Sequence, residues 1–64
     1  MHVNGESIPG PAPKTVDELL AARGWTRPGV VVELNGRIIP REAWARTRLT
    51  DSDRLEVVTF VGGG

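Results

Sequence analysis

Two Asn-Gly dipeptides, Asn4-Gly5 and Asn35-Gly36, restrict what this chain can fold into more than any other feature. A two-residue hairpin turn needs positive φ at both central positions, which glycine adopts freely and asparagine tolerates. Each dipeptide therefore turns the chain back and pairs the segments on its two sides. The first makes Met1 to Ile8 a strand, a tight turn and a second strand. The second joins the β-branched run Val30 to Asn35 to a short returning strand at Ile38 and Ile39, which Pro40 stops. Val30, Val32 and Leu34 alternate along the longer strand and share one face.

Between the hairpins, Pro9-Gly10-Pro11-Ala12-Pro13 cannot supply ladder donors and is a loop. Thr15-Val16-Asp17-Glu18 has the capping-box form: the Thr15 hydroxyl accepts from the amide three residues on, and Glu18 reaches back. Asp17 and Glu18 also favour the positive end of the helix dipole. Val16, Leu19 and Leu20, with the aliphatic stem of Arg23, recur at helical spacing as one buried stripe, and Gly24 ends the helix. Trp25 to Gly29 is a loop containing Pro28. Arg41 to Arg46 carries a helical turn that brings Trp44 onto the body, and Asp51-Ser52-Asp53 is a polar turn. Arg54 to Phe60 is the last strand, with Leu55 and Val57 on one face and Val58 and Phe60 on the other.

The order strand, strand, helix, strand, short strand, strand predicts an α+β fold. A small mixed sheet of four to five strands with one main helix across it matches the β-grasp (ubiquitin-like) architecture. In that arrangement the first and last strands lie parallel at the centre. Residues 1–61 make one domain and 62–64 a flexible glycine tail. A chain of 64 residues buries only ~60% of its unfolded surface, which leaves no room for a second core or a deep cleft. That weighs against a self-sufficient enzyme.

Composition removes other classes of function. Eight Lys and Arg balance eight Asp and Glu, so nothing favours electrostatic capture of nucleic acid or an anionic membrane. With no cysteine there is no disulfide framework, thiolate metal site or thiol nucleophile. No apolar run approaches the ~20 residues of a membrane span, and the start lacks a signal peptide's basic and apolar segments. A cytoplasmic protein is expected. His2, the single histidine, reads as a surface residue, and neither Ser7 nor Ser52 has a histidine at a spacing that suggests a base. Asp51 and Asp53 read as turn residues rather than metal ligands, and no strand–GxxxxGK–helix pattern makes a phosphate loop. The domain itself is expected to bind no metal and no cofactor.

Gly62-Gly63-Gly64 remain, directly after a core strand. One alternative is a frayed tail without a role. The other is a chemical end: a free α-carboxyl group, with an ordinary pKa of ~3.3–3.7, is a carboxylate near neutral pH. It is inert until ATP converts it to an acyl-adenylate that sulfur or nitrogen can attack. Residues without Cβ can thread a narrow channel, and the four beyond Phe60 span at most ~13 Å.

Several stretches carry a family likeness. They are Val3-Asn4-Gly5-Glu6, Thr15-Val16-Asp17-Glu18-Leu19-Leu20, Val32-Glu33-Leu34-Asn35-Gly36 and, most specific, Ile39-Pro40-Arg41-Glu42-Ala43-Trp44. Leu49, Asp51, Asp53, Leu55 and the closing Gly63-Gly64 complete the pattern. Over nearly its whole length the chain resembles the ThiS family, the sulfur carrier proteins of thiamine (thiazole) biosynthesis. The resemblance implies that a ThiF-type adenylating enzyme activates Gly64 with ATP and magnesium. Sulfur from a cysteine desulfurase, relayed as a persulfide donor, then leaves a C-terminal thiocarboxylate on Gly64 that a ThiG-type thiazole synthase consumes. On that pattern the chain is a co-substrate and not an enzyme. Two departures stand out: the usual Asp-Gly-Asp turn is Asp51-Ser52-Asp53, and the Pro9–Pro13 loop is unusual.

Three side chains have two expectations each. Phe60, sharing its face with Val58, is either a docking anchor for the partner or a cover for the sheet's edge. Arg41 either meets acidic groups of the adenylating enzyme or pairs with Glu42 or Asp53. Trp44 packs on the body, its indole N–H finding a partner, or faces a docking protein. Other carriers on the same fold, serving molybdopterin, cysteine or tungsten-cofactor synthesis, share the tail chemistry. So does a ubiquitin-like modifier of lysines, whereas a plain interaction domain would have inert glycines.

Overall fold

Both Asn-Gly turns form as their chemistry requires. In the computed structural model, which describes residues 1–60, Asn4 and Asn35 have φ of 52° and 50°, and the glycines that follow have 85° and 87°. The first turn joins β1 (His2–Val3) to β2 (Glu6–Ser7), and the second joins β3 (Val30–Leu34) to β4 (Arg37–Ile39). Helix α1 (Val16–Arg23) lies between the hairpins; a 3-10 helix (Arg41–Arg46) and β5 (Arg54–Thr59) follow. The sheet order is β2-β1-β5-β3-β4, so the last strand is the central one. It runs parallel to β1, with Val3 opposite Leu55, and antiparallel to β3 from Val30–Thr59 to Leu34–Leu55. This is the expected β-grasp arrangement, with five strands.

Helix α1 starts as its capping residues dictate. The Thr15 hydroxyl accepts the Glu18 amide at 3.2 Å, and Asp17 and Glu18 occupy the first turn. At its other end the Gly24 and Trp25 amides donate to Ala21 O and Leu20 O. Val16, Leu19 and Leu20 are buried against the sheet's inner face, where Val3, Val30, Val32 and Leu55 meet them. These aliphatic groups, with Met1, Leu49 and Trp44, form the core. Each buried side chain of this size stabilises the fold by about 1.5–3 kcal/mol through its removal from water.

One local expectation needs correction. Arg23 is exposed and does not extend the buried stripe of α1; its guanidinium carbon lies 5.4 Å from the centre of the half-buried Trp25 ring. The spacing rule placed its Cα on the right side, but at the last turn a long cation reaches water over an aromatic face instead. The Asp51-Ser52-Asp53 turn accommodates the loss of the usual glycine. Among the described non-glycine residues only Asn4 and Asn35 have positive φ, so Ser52 sits in ordinary backbone. Val61 and the glycine tail lie outside the described residues. No helix among those described is long and apolar enough to cross a membrane.

Candidate functional site

Strand β5 is the element that leads to the tail, and its alternation sorts its side chains between two environments. Leu55 points into the core, and Val57 packs against that core half-buried. Val58 and Phe60 emerge on the opposite, outer face, 50% and 66% exposed. Val58 pairs across the sheet with Val31, and the exposed Ile38 on β4 lies opposite Glu33 in the next row. One row away, Glu33 and Glu56 face each other directly, so an acidic pair borders the apolar strip. The outer face thus offers partners an apolar patch with a carboxylate rim, and Phe60 stands next to residues 61–64. Its side chain is mostly exposed.

The main chain at this end is fixed. The Phe60 N–H donates to Gly29 O at 2.9 Å, one rung beyond the last strand pair, Val30–Thr59. On the other side β1 is too short to reach past Leu55, and the Asn4 side chain continues its work: Asn4 Oδ1 accepts the Val57 N–H at 2.7 Å. At the opposite end of β5, Asp53 accepts from Asn35 Nδ2 at 2.9 Å and from the Thr50 N–H at 2.7 Å. The Asn35 side chain, followed by the Thr50 amide, holds the Asp53 carboxyl below its ordinary 3.8 against the opposing effect of partial burial.

Arg41 has partners that neither expectation anticipated. It donates to Thr26 O at 3.2 Å and Arg27 O at 2.8 Å, while its guanidinium carbon lies 4.5 Å from the centre of the Trp44 ring. Trp44 itself is 3% exposed and donates its indole N–H to Ile39 O at 3.0 Å, so it packs on the body. Arg41 therefore ties the loop after α1 to the 3-10 helix. Among the described residues the polar and cation–π contacts of Arg41 are with Thr26, Arg27 and Trp44 and not with Val58 or Phe60, and Gly62, Gly63 and Gly64 lie outside the described residues. Gly29 and Asn4 were not picked out from sequence as holding the exit of β5. Their partners Phe60 and Val57 are far along the chain, and only the positive φ implied by glycine and Asn-Gly hinted at special backbone.

Among the described residues no pocket forms, and no three His, Cys, Asp or Glu side chains gather as metal ligands. Asp51 and Asp53 instead accept main-chain N–H groups, from Ala12 and Thr50 respectively.

Comparison with known proteins bears on the whole length. The ThiS family model matches residues 1–64. A thiazole synthase of Paramagnetospirillum magneticum is 40% identical over 62 residues, 97% of this chain but 19% of that protein. The chain thus spans about a fifth of the length of the thiazole synthases it matches. Sulfur carrier protein ThiS of Bacillus subtilis is 42% identical over 50 residues, covering 78% of this chain and 76% of that one. The crystal structure of the thiamine biosynthesis protein (ThiS) from Geobacter metallireducens superposes with a TM-score of 0.78 at 38% identity, covering 98% and 96% of the two chains. With a family match from end to end and a solved member sharing its β-grasp fold, the chain belongs to the ThiS family.

Proposed function

We propose that the chain is a sulfur carrier in the thiazole branch of thiamine biosynthesis, a co-substrate whose reacting group is the α-carboxyl of Gly64. The observation that carries this reading is the family match from end to end, on a fold whose central strand leads directly to residues 61–64. In the proposed cycle a ThiF-type adenylating enzyme, using ATP and magnesium, joins the carboxylate to AMP and releases pyrophosphate. A persulfide sulfur attacks the acyl carbon and AMP leaves; a thiol then cleaves the resulting acyl disulfide and frees the thiocarboxylate. The domain contributes no acid, base or metal to these steps. It supplies a recognisable body and a narrow tail.

Val58 and Phe60 form the proposed docking patch for the adenylating enzyme, since large apolar groups exposed together make anchors of this kind. Arg41 belongs to the docking set with less freedom, because its guanidinium already holds two carbonyls. The proposed acceptor is a ThiG-type thiazole synthase. Supporting that choice, two thiazole synthases contain a stretch similar to this chain.

The test is intact-mass measurement after incubation with ATP, magnesium, a ThiF-type enzyme and a persulfide donor. A gain equal to one oxygen replaced by sulfur is expected on the full chain, and none on a chain lacking Gly64. No gain on the full chain, or conjugates on lysine instead, would sink the sulfur-carrier reading.

A further inference from the structure

Gly29 immediately precedes β3 and faces Phe60 across the sheet, with φ of +90°. A Cβ placed on it would stand 2.7 Å from Phe60 O, with the Phe60 carbonyl carbon and nitrogen at 3.7 and 3.8 Å. The obstacle is main chain, which cannot swing aside as the tip of a side chain can. Gly5, Gly10, Gly24 and Gly36 also have positive φ, yet a Cβ on any of them meets nothing within 4 Å. Among the described glycines with positive φ, Gly29 alone therefore serves a close approach as well as a turn of the backbone. What it approaches is the residue from which the tail departs.

We propose that Gly29 is a positioning residue for activation of the tail: its missing side chain seats the Phe60 main chain and so fixes the point from which the chain continues into residues 61–64. The inference rests on the sulfur-carrier reading. The Phe60 N–H bond to Gly29 O extends the β3–β5 ladder one residue past Thr59. It keeps the strand's alternation through Phe60, which holds the ring on the same face as Val58. When a side chain at position 29 displaces that rung, the Phe60 main chain loses its fixed place and its ring leaves the docking patch. Groups that bind alike before and during reaction act on KM, so the loss falls mainly there rather than on kcat.

Gly36 supplies a matched control, because its φ of +87° is the same and its surroundings are open. Gly29→Ala and Gly36→Ala carry the same backbone strain, and only the first collides with Phe60. Two measurements separate them: hydrogen exchange of the Phe60 amide in the free chain, and steady-state adenylation by a ThiF-type enzyme. In Gly29→Ala the Phe60 amide should lose at least about tenfold protection. The KM for the carrier should rise about tenfold with kcat changed by less than about twofold. Gly36→Ala should match the parent in both. Should Gly29→Ala not fold, the pair Gly29→Asn and Gly36→Asn retains the collision with less strain, since asparagine tolerates positive φ. Unchanged Phe60 protection in the position-29 variant, or a KM equal to that of its position-36 counterpart, overturns the proposal. If the parent chain itself is not adenylated, the sulfur-carrier reading has failed, and the exchange data still report whether Gly29 seats Phe60.

Discussion

The two ends of β5 are secured by different means. At its start, polar side chains join the main-chain bonds in the fastening. Asn35 accepts the Arg54 N–H and donates to Asp53, which also accepts from Thr50, beside the main-chain bonds of Asn35 N–H to Arg54 O and His2 N–H to Asp53 O. At its finish the bonds involve only main-chain groups of the strand and the residue after it: the Val57 N–H donates to Asn4 Oδ1 and the Phe60 N–H to Gly29 O. One Asn-Gly turn serves each end, and the asparagines of both turns dock on β5. The contrast lies in what is left uncommitted. The starting end consumes its own polar side chains, whereas the finishing end holds the strand by its backbone and leaves Val58 and Phe60 turned outward. A chain that must be rigid up to its tail and still offer side chains to partners can be built this way.

The largest effect should come from removing what the two ends share. Leu55 is fully buried between β1 and β3, and Leu55→Ala should cost about 2–5 kcal/mol, a large part of a small domain's stability. Urea unfolding should show the loss, with amides at both ends of β5 exchanging faster together; unequal loss would mean that the strand is not one cooperative unit.

Asn35→Gly should cost about 1–2 kcal/mol, since glycine keeps the positive φ and the change removes only the side-chain bonds to Arg54 and Asp53. It should also alter acid behaviour. The Asp53 carboxyl is held below 3.8 in the fold, so its ionised form stabilises the native state above that value. That contribution disappears as pH falls from the ordinary value through the lower folded one. Because the Asn35 bond is the leading cause, the stability of Asn35→Gly should fall less steeply below pH ~4 than that of the parent. An identical acid limb in both would refute this account of the starting end.

Asn4→Gly is the counterpart at the finishing end and should cost about 1 kcal/mol. Faster exchange should be confined to the Val57 amide, without change in the acid limb. Phe60→Ala should have the smallest effect on stability, within about 0.5 kcal/mol, because the ring is mostly exposed. Under the proposed function its effect falls on adenylation, and a large thermal destabilisation would show that the ring works inside the fold.

Local chemistry made most of the fold legible in the sequence. Asn-Gly declared both hairpins, Thr15 with Asp17 and Glu18 declared the start of α1, and alternation along β5 put Leu55 in and Val58 out. The parallel β1–β5 pairing came from matching element order to an architecture, because no local pattern records it. What stayed hidden depends on contacts between distant residues. Arg41 was expected to seek a carboxylate, but it binds carbonyls 15 and 14 residues earlier, and charge pairing says nothing about carbonyls. Asn4 and Val57 are 53 residues apart, and the Gly29–Phe60 approach exists only once β3 and β5 are side by side. The outer patch was half visible: Val58 and Phe60 followed from alternation, whereas the exposure of Ile38 on β4, opposite Glu33, did not.

Because β5 is central and continues into the tail, a pull on Phe60 acts along the strand, across bonds to β1 on one side and β3 on the other. Such a load shears the rungs, which share it, instead of peeling them open one by one. An enzyme gripping the last residues can therefore tug on them without unravelling the body to which they are attached.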